Sequence, residues 1–192
     1  MLFELLYVDP SRSRDSEPSG PPKKLKQFLS SLDNIKGVSK DGDDVECLYV
    51  NDSTGVEARF VAYEPEFGDE VGLAFEMSLP RPTFFALEAL PAALSIAREK
   101  KLSVEVLRAD GSKFYERPSF EDLLSEWRAA NSEAVSSNGR VLRKGSAENL
   151  ESMWEFSIVR QDLARRYGRG RVEVPELYTV MHKRTQTVGR MV

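Results

Sequence analysis

Three strand-like segments follow one another in the first half of the chain, with no helical pattern between them. Val45–Val50 and Val56–Tyr63 flank the connection Asn51–Gly55, which is rich in turn-forming residues and typical of a β-hairpin. The third segment, Val71–Leu79, alternates large apolar side chains with small or polar ones, and so predicts a strand with one buried face. Strands adjacent in sequence favour an antiparallel sheet.

Helical periodicity marks two stretches on either side of these strands. Leucine and phenylalanine recur at helical spacing between residues 25 and 32, which predicts a helix over Pro22–Ile35 with Gly37 as its C-terminal cap. A second helix is expected to begin near Phe84 and to reach Ala97. Pro91 lies inside that pattern, so we expect it to kink the helix or to split it into two.

Two further helices are predicted in the second half of the chain. The first runs from Ser119 to Ala134, where Ser119 and Asp122 have the spacing of a capping-box variant. The second runs from about Ser146 to Tyr167 and ends at Gly168. The alternating tail that follows predicts one long strand or a hairpin.

Clustered strands with few helical crossovers disfavour a doubly wound sheet. We therefore predict an α+β fold, with a largely antiparallel sheet of five or more strands and helices packed on one face. Residues 1–192 are expected to form a single α+β domain. A boundary near residues 136–145, leading to a small C-terminal helix–strand lobe, is the alternative division.

The chain contains one histidine, His182, and one cysteine, Cys47, and this scarcity excludes most catalytic chemistry. Cys47 alternates with apolar strand residues beside acidic neighbours, so we expect it to fill the core. We predict no metal site, no cofactor and no catalytic residues. A small hydrolase or transferase that uses carboxylates with His182 as acid or base stays an alternative.

The composition predicts a cytoplasmic protein. The longest mainly apolar run, Phe84–Ala97, is shorter than the roughly 20 residues that a membrane span needs, and residues 1–8 do not resemble a signal peptide. A lone cysteine fits a reducing compartment. We therefore expect no association with a membrane.

Charge is distributed unevenly along the chain. Residues 140–192 hold 11 Lys and Arg against six Asp and Glu, whereas residues 1–139 hold 16 against 25. The acidic run Asp41–Glu46 precedes a strand and lacks the spacing of a calcium loop, so we interpret it as a solvated turn. A second acidic cluster surrounds Phe67 on a loop and is better suited to docking a basic partner; it consists of Glu64, Glu66, Asp69 and Glu70.

Four arginines form the strongest basic feature of the sequence: Arg165, Arg166, Arg169 and Arg171. Basic residues interleaved with an aromatic residue and glycines can bind phosphates, which suggests a weak nucleic-acid-binding module as another alternative. Cations at a helix C-terminus are also what the helix dipole favours. Because the whole chain is acidic, we expect the arginines to cap and pack, and nucleic acid is disfavoured as a partner.

These observations together favour a non-catalytic partner-binding protein: an adaptor, regulator or neutraliser of another protein. A basic partner would complement the acidic loops. The candidate binding residues are Glu64, Glu66, Phe67, Asp69, Glu70, Arg165, Arg166, Arg169 and Arg171.

Overall fold

A computed structural model of the chain describes residues 1–18, 25–39, 46–137, 147–168, 178–181 and 188–191. The chain divides into two units, Met1–Val141 and Leu142–Val192. In the first unit, the described residues form β1 (Leu2–Val8), α1 (Leu25–Leu29), β2 (Ile35–Ser39), β3 (Glu46–Asn51), β4 (Val56–Ala62), β5 (Glu70–Ser78), α2 (Thr83–Lys100), β6 (Ser103–Arg108), β7 (Gly111–Tyr115) and α3 (Phe120–Ser137).

The seven strands of the first unit form one sheet in the order β2-β3-β4-β5-β1-β6-β7, and every neighbouring pair is antiparallel. Consecutive strands β2 to β5 form a meander. The N-terminal strand β1 then lies between β5 and β6, so α2 carries the chain past β1 from one of its neighbours to the other. The predicted α+β fold with a largely antiparallel sheet is confirmed.

One face of this sheet is buried beneath α2 and α3. The two helices contact each other, and each also contacts a strand, so both lie on the same side of the sheet. Beneath them, Phe3, Leu5 and Tyr7 of β1 are almost fully buried. The Tyr7 hydroxyl donates to the carbonyl oxygen of Ala93 in α2 at 2.9 Å. Helices packed on one face of the sheet are therefore also confirmed.

The predicted helix over Pro22–Ile35 is wrong. Helix α1 contains only Leu25–Leu29, the chain then turns, and Ile35 begins strand β2. Ser31 stops the helix because both its backbone N–H and its hydroxyl donate to the carbonyl of Phe28. Asn34 has a left-handed φ of 65°, which redirects the chain so that β2 can pair with β3.

Pro91 does not split α2, which is one continuous helix from Thr83 to Lys100. Proline removes an intrahelical hydrogen bond, but the helix is buried against the sheet on both sides of it. Leu90 precedes the proline and Ala93 follows it, and both are inaccessible to solvent. Tertiary packing therefore holds the helix together at a position where its local sequence favours a break.

The remaining helix predictions agree with the structure to within a few residues. Ser119 and Asp122 form the expected capping box. Ser119 N–H donates to Asp122 Oδ2 at 3.0 Å, and Asp122 N–H donates to Ser119 Oγ at 3.1 Å. In the second unit, α4 spans Ala147–Tyr167 and Gly168 follows it with a φ of 78°. Strands β8 (Tyr178–Met181) and β9 (Val188–Met191) pair antiparallel, which agrees with the hairpin, one of the two arrangements predicted for this segment. The prediction of a single domain over the whole chain stays a prediction.

Replacing Pro91 with alanine is expected to raise the free energy of unfolding by about 1–3 kcal/mol, because alanine restores a helical hydrogen bond and relieves a steric clash. Urea denaturation of the two proteins measures this difference. The matched control is Pro10→Ala, in an exposed loop. It should lower the free energy of unfolding by less than about 1 kcal/mol, because the unfolded chain gains conformational entropy. Equal or lower stability of Pro91→Ala would contradict the explanation given for α2.

Candidate functional site

The loop between β4 and β5, residues 63–69, carries most of the acidic residues predicted to bind a partner. Glu64, Glu66 and Phe67 are exposed, and Phe67 retains 38% of its accessible surface. Asp69 is half-buried. Glu70 is buried at the start of β5 and accepts the backbone N–H of Glu66 at 3.0 Å. The carboxylate of Glu70 therefore shapes this acidic loop, while the other residues present it to solvent.

A second loop, residues 9–18, lies against the acidic loop. The guanidinium of Arg14 lies 4.0 Å from the centre of the Phe67 ring, and the carbonyl of Arg14 accepts the Gly68 N–H at 2.9 Å. Gly68 has no room for a side chain, because a Cβ there would lie 2.0 Å from the backbone oxygen of Ser16. Phe67 is thus held in place from one side.

The sheet face opposite α2 and α3 carries carboxylates and apolar side chains in two rows across the strands. One row runs through Leu48, Arg59, Glu76, Glu4 and Leu107. The other runs through Val61, Ala74, Leu6, Glu105 and Phe114. We name this surface the acidic face. At its two sides, Leu48 is 42% exposed and Phe114 is 54% exposed.

Two carboxylates lie directly opposite each other at the centre of the acidic face. Glu4 of β1 is the cross-strand neighbour of Glu76 in β5, and Arg59 of β4 is the neighbour of Glu76 on its other side. Arg59 pairs with Glu76 at 2.5 Å. Burial and the charge of Glu76 raise the pKa of the Glu4 carboxyl, and Arg59 lowers it less. One arginine therefore faces two carboxylates, which leaves the centre of the face negative.

Tyr63 connects the acidic loop to the acidic face. Its hydroxyl is buried and has no hydrogen-bond partner among the described residues. Burial raises the pKa of this hydroxyl above its usual range, and the charges of Glu70, Glu4, Glu105 and Asp69 raise it further. Carboxylates from the loop and from the face thus surround one tyrosine. The predicted acidic loop is one edge of a larger acidic surface.

This larger surface cannot be read from the strand pattern alone. Strand alternation in β4 and β5 indicates which residues share a face, but it does not indicate which strands are neighbours. Glu4 and Glu76 are far apart in sequence, and they become neighbours only because β1 pairs with β5. A usable signal was present in β1, where Glu4 interrupts an otherwise apolar strand.

A carboxylate on α2 joins that helix to the β3–β4 hairpin. Glu88 Oε1 accepts from Asn51 Nδ2 at 2.7 Å, from Thr54 Oγ1 at 3.1 Å and from the Tyr49 hydroxyl at 3.2 Å. Burial raises the pKa of Tyr49 to about 12, so this hydroxyl stays a donor near neutral pH. These bonds fix the hairpin on the helix and account for the polar groups buried there.

A second carboxylate, Glu126 of α3, joins that helix to the β6–β7 hairpin. Its side chain is 3% exposed, and it pairs with Arg108 and with Lys113, the latter at 2.9 Å. The Tyr115 hydroxyl donates to the same carboxylate. Every partner comes from the hairpin, so this cluster positions β6 and β7 against α3.

Arg165 and Arg166 lie exposed in the last turn of α4, where the helix dipole favours cations. Arg166 pairs with Asp162 of the same helix at 2.8 Å. Arg169 and Arg171 lie outside the described residues, as do His182 and most of the Asp41–Glu46 run. Cys47 is fully buried, as expected of a core residue.

Within the described ranges, no group of three or more histidine, cysteine, aspartate or glutamate side chains could hold a metal ion. Over those same residues, no helix is long and apolar enough to cross a membrane.

Comparison with protein-family models, with curated proteins and with solved structures finds no match to this chain. Functional inference therefore rests on the surfaces described above.

Glu126→Ala is expected to lower the free energy of unfolding by about 1–3 kcal/mol, because it removes a buried carboxylate with three donors. The loss should lie toward the lower end of that range, since Arg108 and Lys113 are partly exposed and can return to water. Urea denaturation measures it. The control, Glu133→Ala on the exposed side of α3, should change stability by less than about 0.5 kcal/mol. Equal effects of the two substitutions would refute the positioning role.

Glu4→Gln is expected to make the chain more stable than the wild type at about pH 7 and equally stable at about pH 3. The pKa of Glu4 is raised in the folded state above its ordinary value of 4.5. Ionisation of Glu4 therefore costs stability as the pH rises above that value, and glutamine avoids this cost. Denaturation at both pH values tests the prediction, with Glu64→Gln on the exposed loop as the matched surface control. A loss of stability in Glu4→Gln at neutral pH would contradict it.

Proposed function

We propose that this protein is a non-catalytic partner-binding protein, an adaptor, regulator or neutraliser, and that it binds a basic partner protein through the acidic face. The observation that carries the proposal is the coexistence, on one side of the sheet, of exposed apolar side chains and incompletely neutralised carboxylates. The acidic loop with Phe67 extends this surface at one edge.

The apolar content of the acidic face favours a protein partner. An antiparallel sheet can leave one face in water, but the strands then carry mainly polar residues on that face. Here Val61 and Leu6 are partly exposed and lie on either side of the buried Ala74. Leu48 and Phe114 lie exposed at the two sides of the same surface. Exposed apolar side chains grouped on one surface are typical of protein interaction sites.

The charges of the acidic face favour a basic partner. Glu4 and Glu76 lie opposite each other, and like charges at such positions oppose folding. A lysine or arginine from a partner would relieve this repulsion and would be attracted from a distance by the net negative charge of −4. Carboxylates that cost stability in the free protein would thereby favour the complex.

A cytoplasmic location belongs to the same proposal. Cys47 is buried in the core, and a sequence with a single cysteine fits a reducing compartment. Its burial protects it from reaction with other thiols. The partner is therefore to be sought among basic proteins of the cytoplasm.

The proposal predicts that wild-type chain captures a stoichiometric basic protein from native lysate and that Leu48→Ala/Phe114→Ala captures it at least about tenfold less well. Quantitative mass spectrometry of the captured proteins measures the ratio. Both substitutions shorten exposed side chains, so the fold should be unaffected. The matched control is Val159→Ala/Tyr167→Ala, which shortens two exposed residues of the second unit and should leave capture unchanged.

Salt provides a second measurement on the same complex. Capture should fall as the salt concentration rises, since attraction between exposed charges is screened. Equal capture by the wild type and by the acidic-face variant would refute the assignment of the surface. Retention of a small molecule alone, or of an acidic protein, would refute the proposed class of partner.

A further inference from the structure

A cleft of about 460 Å³ lies in the first unit, where the end of α2 meets the connection between β7 and α3. Pro10 contributes from the segment after β1. The floor is apolar and consists of Ala97, Leu102 and Pro118, which are all buried. Its size falls within the range of small-molecule sites, about 300–1,000 Å³. We name it the cationic cleft because of the side chains at its rim.

Three of the four charged residues that line the cationic cleft are basic, although the chain as a whole is acidic. Arg98 and Lys101 come from the end of α2, and Arg117 comes from the connection before α3. All three are exposed, and none of them forms an ion pair with another described residue. Glu116 is the only acidic residue among the lining residues that the structure describes.

The dipole of α2 does not account for this cation cluster. Cations near a helix C-terminus are favoured, but Arg117 does not belong to α2. Two carbonyls in the last turn of α2 are also satisfied by the main chain: Lys101 N–H donates to the carbonyls of Ala97 and Arg98, and Leu102 N–H donates to the carbonyl of Ala97. The basic side chains are thus not needed as hydrogen-bond donors to these two carbonyls.

A second groove, of about 600 Å³, adjoins the cationic cleft, and Arg98 lines both. Most of the residues that line the groove are apolar, and they include Phe28, Leu94 and Phe120. An anionic group bound at Arg98 would therefore have apolar surface on two sides. This juxtaposition selects a ligand with both an anionic group and an apolar body.

We propose that the cationic cleft binds a small organic anion in which a phosphate or carboxylate group is joined to an apolar body. Arg98 and Arg117 bind the anionic group by charge-assisted hydrogen bonds, and arginine suits both kinds of group because its N–H fork matches them. Lys101 adds positive charge. The apolar body lies on the floor of the cleft and extends past Arg98 over the groove. This site is separate from the acidic face and does not depend on the proposed partner.

Isothermal titration calorimetry of the whole chain with hexyl phosphate and with hexanoate tests the proposal. We expect saturable binding of at least one of these anions, and the tighter of the two identifies the anionic group of the natural ligand. Inorganic phosphate lacks the apolar body and hexanol lacks the charge, so each should bind at least about tenfold more weakly.

Arg98→Gln and Arg117→Gln should each weaken binding by about tenfold, since each removes a charge-assisted contact. Arg128→Gln, which removes an exposed arginine of α3 outside the cleft, is the matched control and should bind like the wild type. Circular dichroism and the unfolding midpoint verify that the surface variants are folded.

Four results would overturn the proposal: no saturable binding of either anion, equal loss in Arg128→Gln, inorganic phosphate binding as tightly as hexyl phosphate, or hexanol binding as tightly as the anions. Binding of a hexaglutamate peptide without binding of hexyl phosphate or hexanoate would also overturn it. In that case the cleft would be assigned to an acidic protein segment instead.

Discussion

The close packing of α2 on the sheet is the contact on which the rest of the first unit depends. The helix contributes small alanines to the core that it shares with the sheet, and large side chains of the strands fill that core. Trp127 of α3 and Phe60 and Phe75 of the sheet are almost fully buried, with the two phenylalanine rings 5.2 Å apart. The buried alanines of α2 are Ala86, Ala89, Ala93 and Ala97.

This packing determines which carboxylates hold elements of the fold together and which remain available to bind a partner. On the helix side of the sheet, Glu88 and Glu126 are surrounded by donors from the hairpins, so their negative charge is used inside the fold. On the other side, Glu4 and Glu76 share one arginine. Glutamate therefore fixes hairpins against helices on one side of the sheet and contributes to a candidate binding surface on the other.

Many individual elements could be predicted from the sequence because local chemistry decides them. The Ser119–Asp122 capping box begins α3 through bonds within one turn. The alternation of Val71–Leu79 indicates the core-facing side chains of β5, Leu73, Phe75 and Met77, which are almost fully buried. Predictions failed where distant contacts outweigh local preference. Pro91 stays helical because the sheet supports α2 on both sides of it, and Ile35 joins a strand because β3 offers it an edge.

The sequence by itself determined an acidic, strand-rich α+β chain with an acidic loop around Phe67, one histidine and one cysteine. Only the tertiary structure placed β1 between β5 and β6, and this pairing brought Glu4 beside Glu76 and extended the acidic loop into the acidic face. It also brought Arg117 to the end of α2, beside Arg98. The physical reason is the same in both cases: residue spacing along the chain determines which face of an element is buried, whereas the neighbours of that element depend on which segments pair across the whole fold.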